Sequence, residues 1–161
     1  MLIAHLPAGY LLADGLSRGR RDRGALIAAG TVSAILPDLD MFWFHLVNGR
    51  QNLHHDFLFH WPLFWVALAC PLWLMTRGTA RACVAVALAS LLLHMALDSV
   101  AGHIRWLAPF SDWTLNLIEI PARYDWWVWT FMHHWLFAVE VAIVIWAALR
   151  AMKKAPGGAP S

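Results

Sequence analysis

The sequence predicts an all-α membrane protein, a bundle of about five apolar helices with a tryptophan-rich outer loop. Three observations predict it. Hydrophobic residues make up 60% of the 161-residue chain and charged residues only 14%, a balance outside that of ordinary soluble domains. The apolar residues gather in runs separated by short basic or polar stretches. Eleven tryptophans suit a membrane interface, where an apolar ring with one N–H donor is well placed.

The runs cover roughly 2–13, 25–47, 57–76, 80–101 and 128–149. The first is short against the ~20 apolar residues a spanning helix needs, and Pro7 makes it a kinked or partial span. Its basic residues follow it, so no cleavable leader is predicted. The second is interrupted by "ILPDLD", where Pro37 removes a backbone donor and disfavours helix at Leu36. Such backbone is tolerated in a membrane where it packs on protein or lines a cavity. The last three are continuous enough to span. Residues 1–150 form one domain, and 151–161 read as a disordered cytoplasmic tail. Cys70 and Cys83 sit in or beside apolar runs and read as free buried thiols.

Nine of the twelve basic residues, Arg18, Arg20, Arg21, Arg23, Arg77, Arg81, Arg150, Lys153 and Lys154, fall on one side of alternating spans. Arg50, Arg105 and Arg123 fall on the other. Basic loops stay in the cytoplasm. The expected topology is a multi-pass inner-membrane protein with its N-terminus outside and its C-terminus in the cytoplasm. The net charge of +2 gives no case for a nucleic-acid partner; membrane lipid is the expected one.

Charged and imidazole groups are costly inside a bilayer and mark functional sites. Counted from the nearest basic anchor, His5, Asp38, Asp40, His60, His94, Asp98, His133 and His134 all lie about 20–26 Å from the inner face at 1.5 Å per residue. Separate segments thus bring His or Asp to one level. "HMALD" sets His94 and Asp98 one helical turn apart. Imidazole and carboxylate together are the usual ligands of zinc or a similar divalent ion, whose charge offsets the cost of buried carboxylates. Asp38 and Asp40, two apart, cannot share a helix face. One can bind metal while the other bridges a second ion, orients a histidine or takes a proton from water. His60 is the better ligand of its stretch, and His55 reaches in if the helix begins after it. One or two ions are expected. His54 reads as a loop residue, His133 and His134 as capping or packing groups, and His103 and Glu140 as hydrogen-bonding partners within the bundle. Arg105 and Arg123 are solvated or lipid-facing, or bind phosphate through the guanidinium fork.

The ordered elements "HLPAG", "ILPDLD", the pair His55 and His60, "HMALD" and "APFS" resemble the YdjM-like family of inner-membrane metal-dependent hydrolases. The resemblance rests on His5 with Gly9, Pro37 to Asp40, His55 with His60, His94 with Asp98, and Pro109 to Ser111. It runs over about two thirds of the chain. The chain departs from the family between the histidines, where "DFLF" replaces Arg-Gly-x-Thr, and Trp61 replaces the following Ser. The ligand order is also similar to that of zinc-dependent phospholipases C and related nucleases. These resemblances imply a metal-dependent hydrolase of a phosphoester or lipid-linked substrate, with metal at His5, Asp38, Asp40, His55, His60, His94 and Asp98. Asp38 and Asp40 are the catalytic candidates, and Arg105 and Arg123 the substrate-binding ones. The alternatives are a haem or electron-transfer protein, a metal transporter or sensor, and a structural bundle with His–Asp glue.

Overall fold

The computed structural model describes residues 2–41, 46 and 54–153. The end of the second apolar run, Arg50 with most of its loop, and the tail from Lys154 lie outside the described residues. Six α-helices lie wholly among the described residues: α1 (His5–Leu16), α2 (Arg23–Ser33), α3 (Pro62–Met75), α4 (Gly78–Asp98), α5 (Trp127–Met132) and α6 (Trp135–Met152). Short 3-10 turns lie at Pro37–Leu39, His54–Asp56 and Leu58–His60. Among the described residues there are no strands, and a single antiparallel bridge joins Ile104 to Leu115.

Helix α4 is central and packs against α1, α2 and α3, while α6 lies along α1. One core cluster holds Trp65, Leu91, Met95 and Ile104, and another Ala13, Leu26 and Val86. Small residues let the first two helices meet closely. A Cβ on Gly9 would stand 2.3 Å from the Ala34 Cβ, and one on Gly30 2.6 Å from the Ala13 Cβ. No larger side chain fits at these crossings without moving a helix.

Five spanning runs are expected, but two helices are long and apolar enough to cross a membrane, α4 and α6. Helices α1, α2 and α3 have 12, 11 and 14 residues. At 1.5 Å per residue they reach about 18, 17 and 21 Å, short of the ~30 Å hydrocarbon layer. The reasons are local. The chain leaves α2 at Ala34 and makes a 3-10 turn from Pro37. Helix α3 begins only at Pro62, which occupies a first-turn position where its missing N–H is not needed. The last run divides at His133 and His134 into α5 and α6.

The segment after α4 folds back over that helix's end. Leu117 and Ile118 donate backbone N–H groups to Ser99 and Val100 carbonyls at 2.9 Å each. Trp106 donates its indole N–H to Ser99 Oγ at 2.9 Å, so this tryptophan turns inward. Trp113, Trp126, Trp127 and Trp129 are exposed, as an interfacial belt requires.

The opposite end collects the basic residues. Asp14, which the sequence reading passed over, is buried there at 1% exposure. It accepts from Arg150 Nη2 at 2.7 Å and is ion-paired with Arg23. One carboxylate thereby ties α1, α2 and α6 together. In the adjoining turn, Arg20 hydrogen-bonds Asp22 and, with Thr79, holds its carboxyl down at about 2.

Candidate metal centre

The other end of the bundle carries the histidines. Helix α1 begins at His5, α4 ends at Asp98, and His94 lies one turn earlier on the same face. The 3-10 turn after α2 supplies Asp38, and two further turns supply His55 and His60. These turns solve a problem of spacing. Residues five apart diverge on an α-helix, but His55 and His60 lie in separate tight turns, with ring centroids 4.9 Å apart.

The Asp98 carboxylate, 2% exposed, is the hub. His5 Nε2 stands 3.0 Å from Oδ1, and His94 Nε2, His60 Nε2 and His55 Nε2 stand 2.9, 3.8 and 3.9 Å from Oδ2. Asp38 joins from the side, with Oδ1 3.7 Å from His94 Nε2 and Oδ2 3.5 Å from His5 Nδ1. Three overlapping triads result: His5, His94 and Asp98; Asp38, His60 and His94; His55, His60 and Asp98. Within each, the ligand atoms lie within 4.8 Å of one another.

The two shortest contacts have hydrogen-bond length, and the whole set is close enough to share an ion. His5 Nε2 and His94 Nε2 are buried against the Asp98 carboxylate at 3.0 and 2.9 Å. Ligands at 2.0–2.2 Å around a tetrahedral ion stand about 3.3–3.6 Å apart, within the range of separations seen here. Supporting contacts set the ring faces. His94 Nδ1 lies 2.7 Å from the Ala34 carbonyl, so that nitrogen carries the proton and Nε2 turns its lone pair to the centre. His60 Nδ1 lies 3.2 Å from Asp40 Oδ2, a carboxylate–histidine pairing with the same effect. The donors present therefore fit a divalent ion.

A cavity of about 350 Å³ opens on the cluster, lined by Asp38 and His55 and by Leu2, Met41, Ala101, Gly102, Trp127 and Phe131. Asp38 is 40% exposed, the most open carboxylate of the group. Asp40 is buried against His60 and belongs to none of the triads. Gly102 is required by His55, because a Cβ there would stand 2.6 Å from His55 Cε1 and 3.1 Å from the Asp98 carbonyl oxygen.

Arg105 and Arg123 are not among the residues lining this cavity. Arg105 is paired with Asp112 and lies 5.8 Å from the Trp61 ring centroid. Arg123 lines a separate cavity with Thr130, His133 and His134. His103 Nε2 faces Glu119 at 3.5 Å. Glu140, fully buried, accepts the backbone N–H groups of Leu2 at 2.7 Å and Ile3 at 2.5 Å, fixing the chain two residues before His5. Neither this contact nor the Gly102 cradle has a local signature in the sequence.

Apolar spanning helices closing over buried imidazoles and carboxylates define a helical membrane protein with a polar centre at one end. The family model described as YdjM inner membrane protein matches residues 1–157, and the chain belongs to that family. Comparisons with curated proteins and with solved structures each found no match.

Proposed function

We propose that the protein is a membrane-bound metal-dependent hydrolase acting on a phosphoester of an amphipathic or lipid-linked substrate at the outer face of the membrane. The observation that carries this reading is the set of four imidazole nitrogens within 3.9 Å of the buried Asp98 carboxylate. His5, His55, His60, His94 and Asp98 would hold one or two divalent ions, leaving Asp38 at the cavity, with zinc the first candidate from the mixed His/Asp donors. Such an ion supplies positive charge that acidifies water and polarises a phosphoryl oxygen.

The chain's own groups divide the remaining work. Asp38 faces the cavity and accepts the proton that water loses as its oxygen attacks phosphorus. The ester P–O bond breaks, and that proton is then available to the departing alcohol. Asp40 and the Ala34 carbonyl orient His60 and His94. Leu2, Met41, Trp127 and Phe131 offer an apolar wall for the substrate's hydrocarbon portion and keep bulk water from the cluster. The resemblance to metal-dependent hydrolases and the ligand order support the reaction class.

The test begins with metal analysis of detergent-purified protein, with His94→Ala and Asp98→Ala beside wild type. One or two equivalents of a divalent ion in wild type, lost in both variants, is the expected result. The loaded protein is then screened against phospholipids, lipid pyrophosphates and soluble phosphoesters. Asp38→Asn should lower turnover by about 100-fold or more, the usual scale for a general base. Turnover indifferent to chelator and to Asp38→Asn would leave the cluster as interhelical glue.

A further inference from the structure

A second cavity, of about 320 Å³, lies on another face of the short helix α5, lined by Ile120, Pro121, Ala122, Arg123, Thr130, His133 and His134. We propose that it is an anion site that takes a phosphate group, held by Arg123 with His134, separate from the metal centre.

Four observations converge on this assignment. The first is charge. Two arginines are described at this end of the bundle. Arg105 is paired with Asp112, whereas Arg123 makes no ion pair among the described residues. No carboxylate lines the cavity, so the charged side chain an anion meets at its wall is a cation. Guanidinium offers two parallel N–H donors to a phosphate.

The second is the orientation of the imidazoles. His134 Nδ1 accepts the Leu136 backbone N–H at 3.4 Å. Its proton therefore sits on Nε2, a donor to a ligand. His133 Nδ1 lies 2.8 Å from the Trp129 carbonyl and donates to it, so this ring is spent on its own helix and walls the cavity without offering a donor. The third is a rigid floor. Thr130 Oγ1 accepts the Tyr124 and Arg123 N–H groups at 3.1 and 3.4 Å, so the backbone bearing Arg123 is pinned to α5.

The fourth is position. His134 caps α6, an 18-residue helix long enough to cross a membrane. The cavity thus stands at the level where that helix leaves the hydrocarbon, among the exposed Trp126, Trp129 and Trp135. The N-terminal end of α6 adds partial positive charge. Lipid headgroup phosphates occupy this level, and free phosphate from outside also reaches it.

The site is tested without metal or turnover, so it stands or falls apart from the hydrolase reading. Chelator-treated wild type, Arg123→Gln, Arg123→Lys, His134→Gln and Arg105→Gln are titrated with dihexanoyl phosphatidylglycerol, a neutral diacylglycerol of equal chain length, and inorganic phosphate. Bound ligand is counted by native mass spectrometry, and circular dichroism verifies each fold. Wild type and Arg105→Gln should hold one phosphatidylglycerol and ignore the neutral lipid. Arg123→Gln should weaken binding by about tenfold or more, with partial recovery in Arg123→Lys. Inorganic phosphate that displaces the lipid identifies the phosphate as the recognised group; lipid that resists displacement assigns the site to headgroups. Equal binding of the neutral lipid, or unchanged affinity in folded Arg123→Gln, overturns the proposal.

Discussion

At Gly102, a hydrogen atom decides whether His55 can stand at the cluster. A methyl group there would meet the imidazole edge at 2.6 Å and the Asp98 carbonyl oxygen at 3.1 Å. The carbonyl belongs to the end of α4 and cannot yield easily, so the ring must. Gly102→Ala should leave the bundle folded and weaken metal binding by about 10–100-fold, the usual scale for lost support behind a ligand. Competition with a chelator of known affinity measures it. Unaltered affinity would exclude His55 from the ligand set. Asp40→Ala should act on the same scale through His60, whose Nδ1 it faces at 3.2 Å. The two sites differ in recovery. Asp40→Asn retains an oxygen acceptor and should regain part of the loss, while no larger side chain rescues Gly102.

Among the elements, α6 reaches the centre without contributing a ligand to any of the three triads. Its Glu140 is buried and accepts from Leu2 and Ile3 across 138 and 137 residues of sequence. Glu140→Ala orphans two donors at the entry to α1 and should destabilise the detergent-solubilised protein by about 1–3 kcal/mol. Glu140→Gln keeps one acceptor and should lose less. Denaturation midpoints for the three proteins decide it; equal values would mean that the contact carries no stability. This contact also shows what sequence patterns reveal and conceal. The long run at 80–101 and its "HMALD" signature locate α4 to within three residues, because the apolar run is continuous along the helix. The single depth of His5, Asp38, His60, His94 and Asp98 likewise follows from counting along helices. Apolar composition does not tell where a helix stops, and so α2 and α3 read as spans when they are too short, while α1 already read as a partial one. Asp14 sits at the end of an apolar run, and its partners Arg23 and Arg150 become visible only when α1, α2 and α6 are packed together.

The whole molecule is polarised. Helices α1 and α6 end, and α2 and α4 begin, at the face that carries Arg18, Arg20, Arg21, Arg23, Arg77, Arg81, Arg150 and Lys153. The histidine–aspartate cluster occupies the other face. If basic loops are retained in the cytoplasm, the expected orientation has the cluster outward, toward substrates that need not cross the hydrocarbon. The shared face follows from where the chain reverses and not from how many elements span. A cytoplasm-active reporter fused after Ser161 should be active, and an export-dependent reporter should be silent there. Substituting Arg20, Arg21, Arg77 and Arg81 together with glutamine should raise the export-dependent signal, because four of the nine basic residues on that side would be gone. Asp14→Asn should not, since it removes an acid while leaving every basic residue in place. Export-dependent activity in the unsubstituted fusion would instead put the cluster on the cytoplasmic side, where the same cavity would draw its substrate from the inner leaflet.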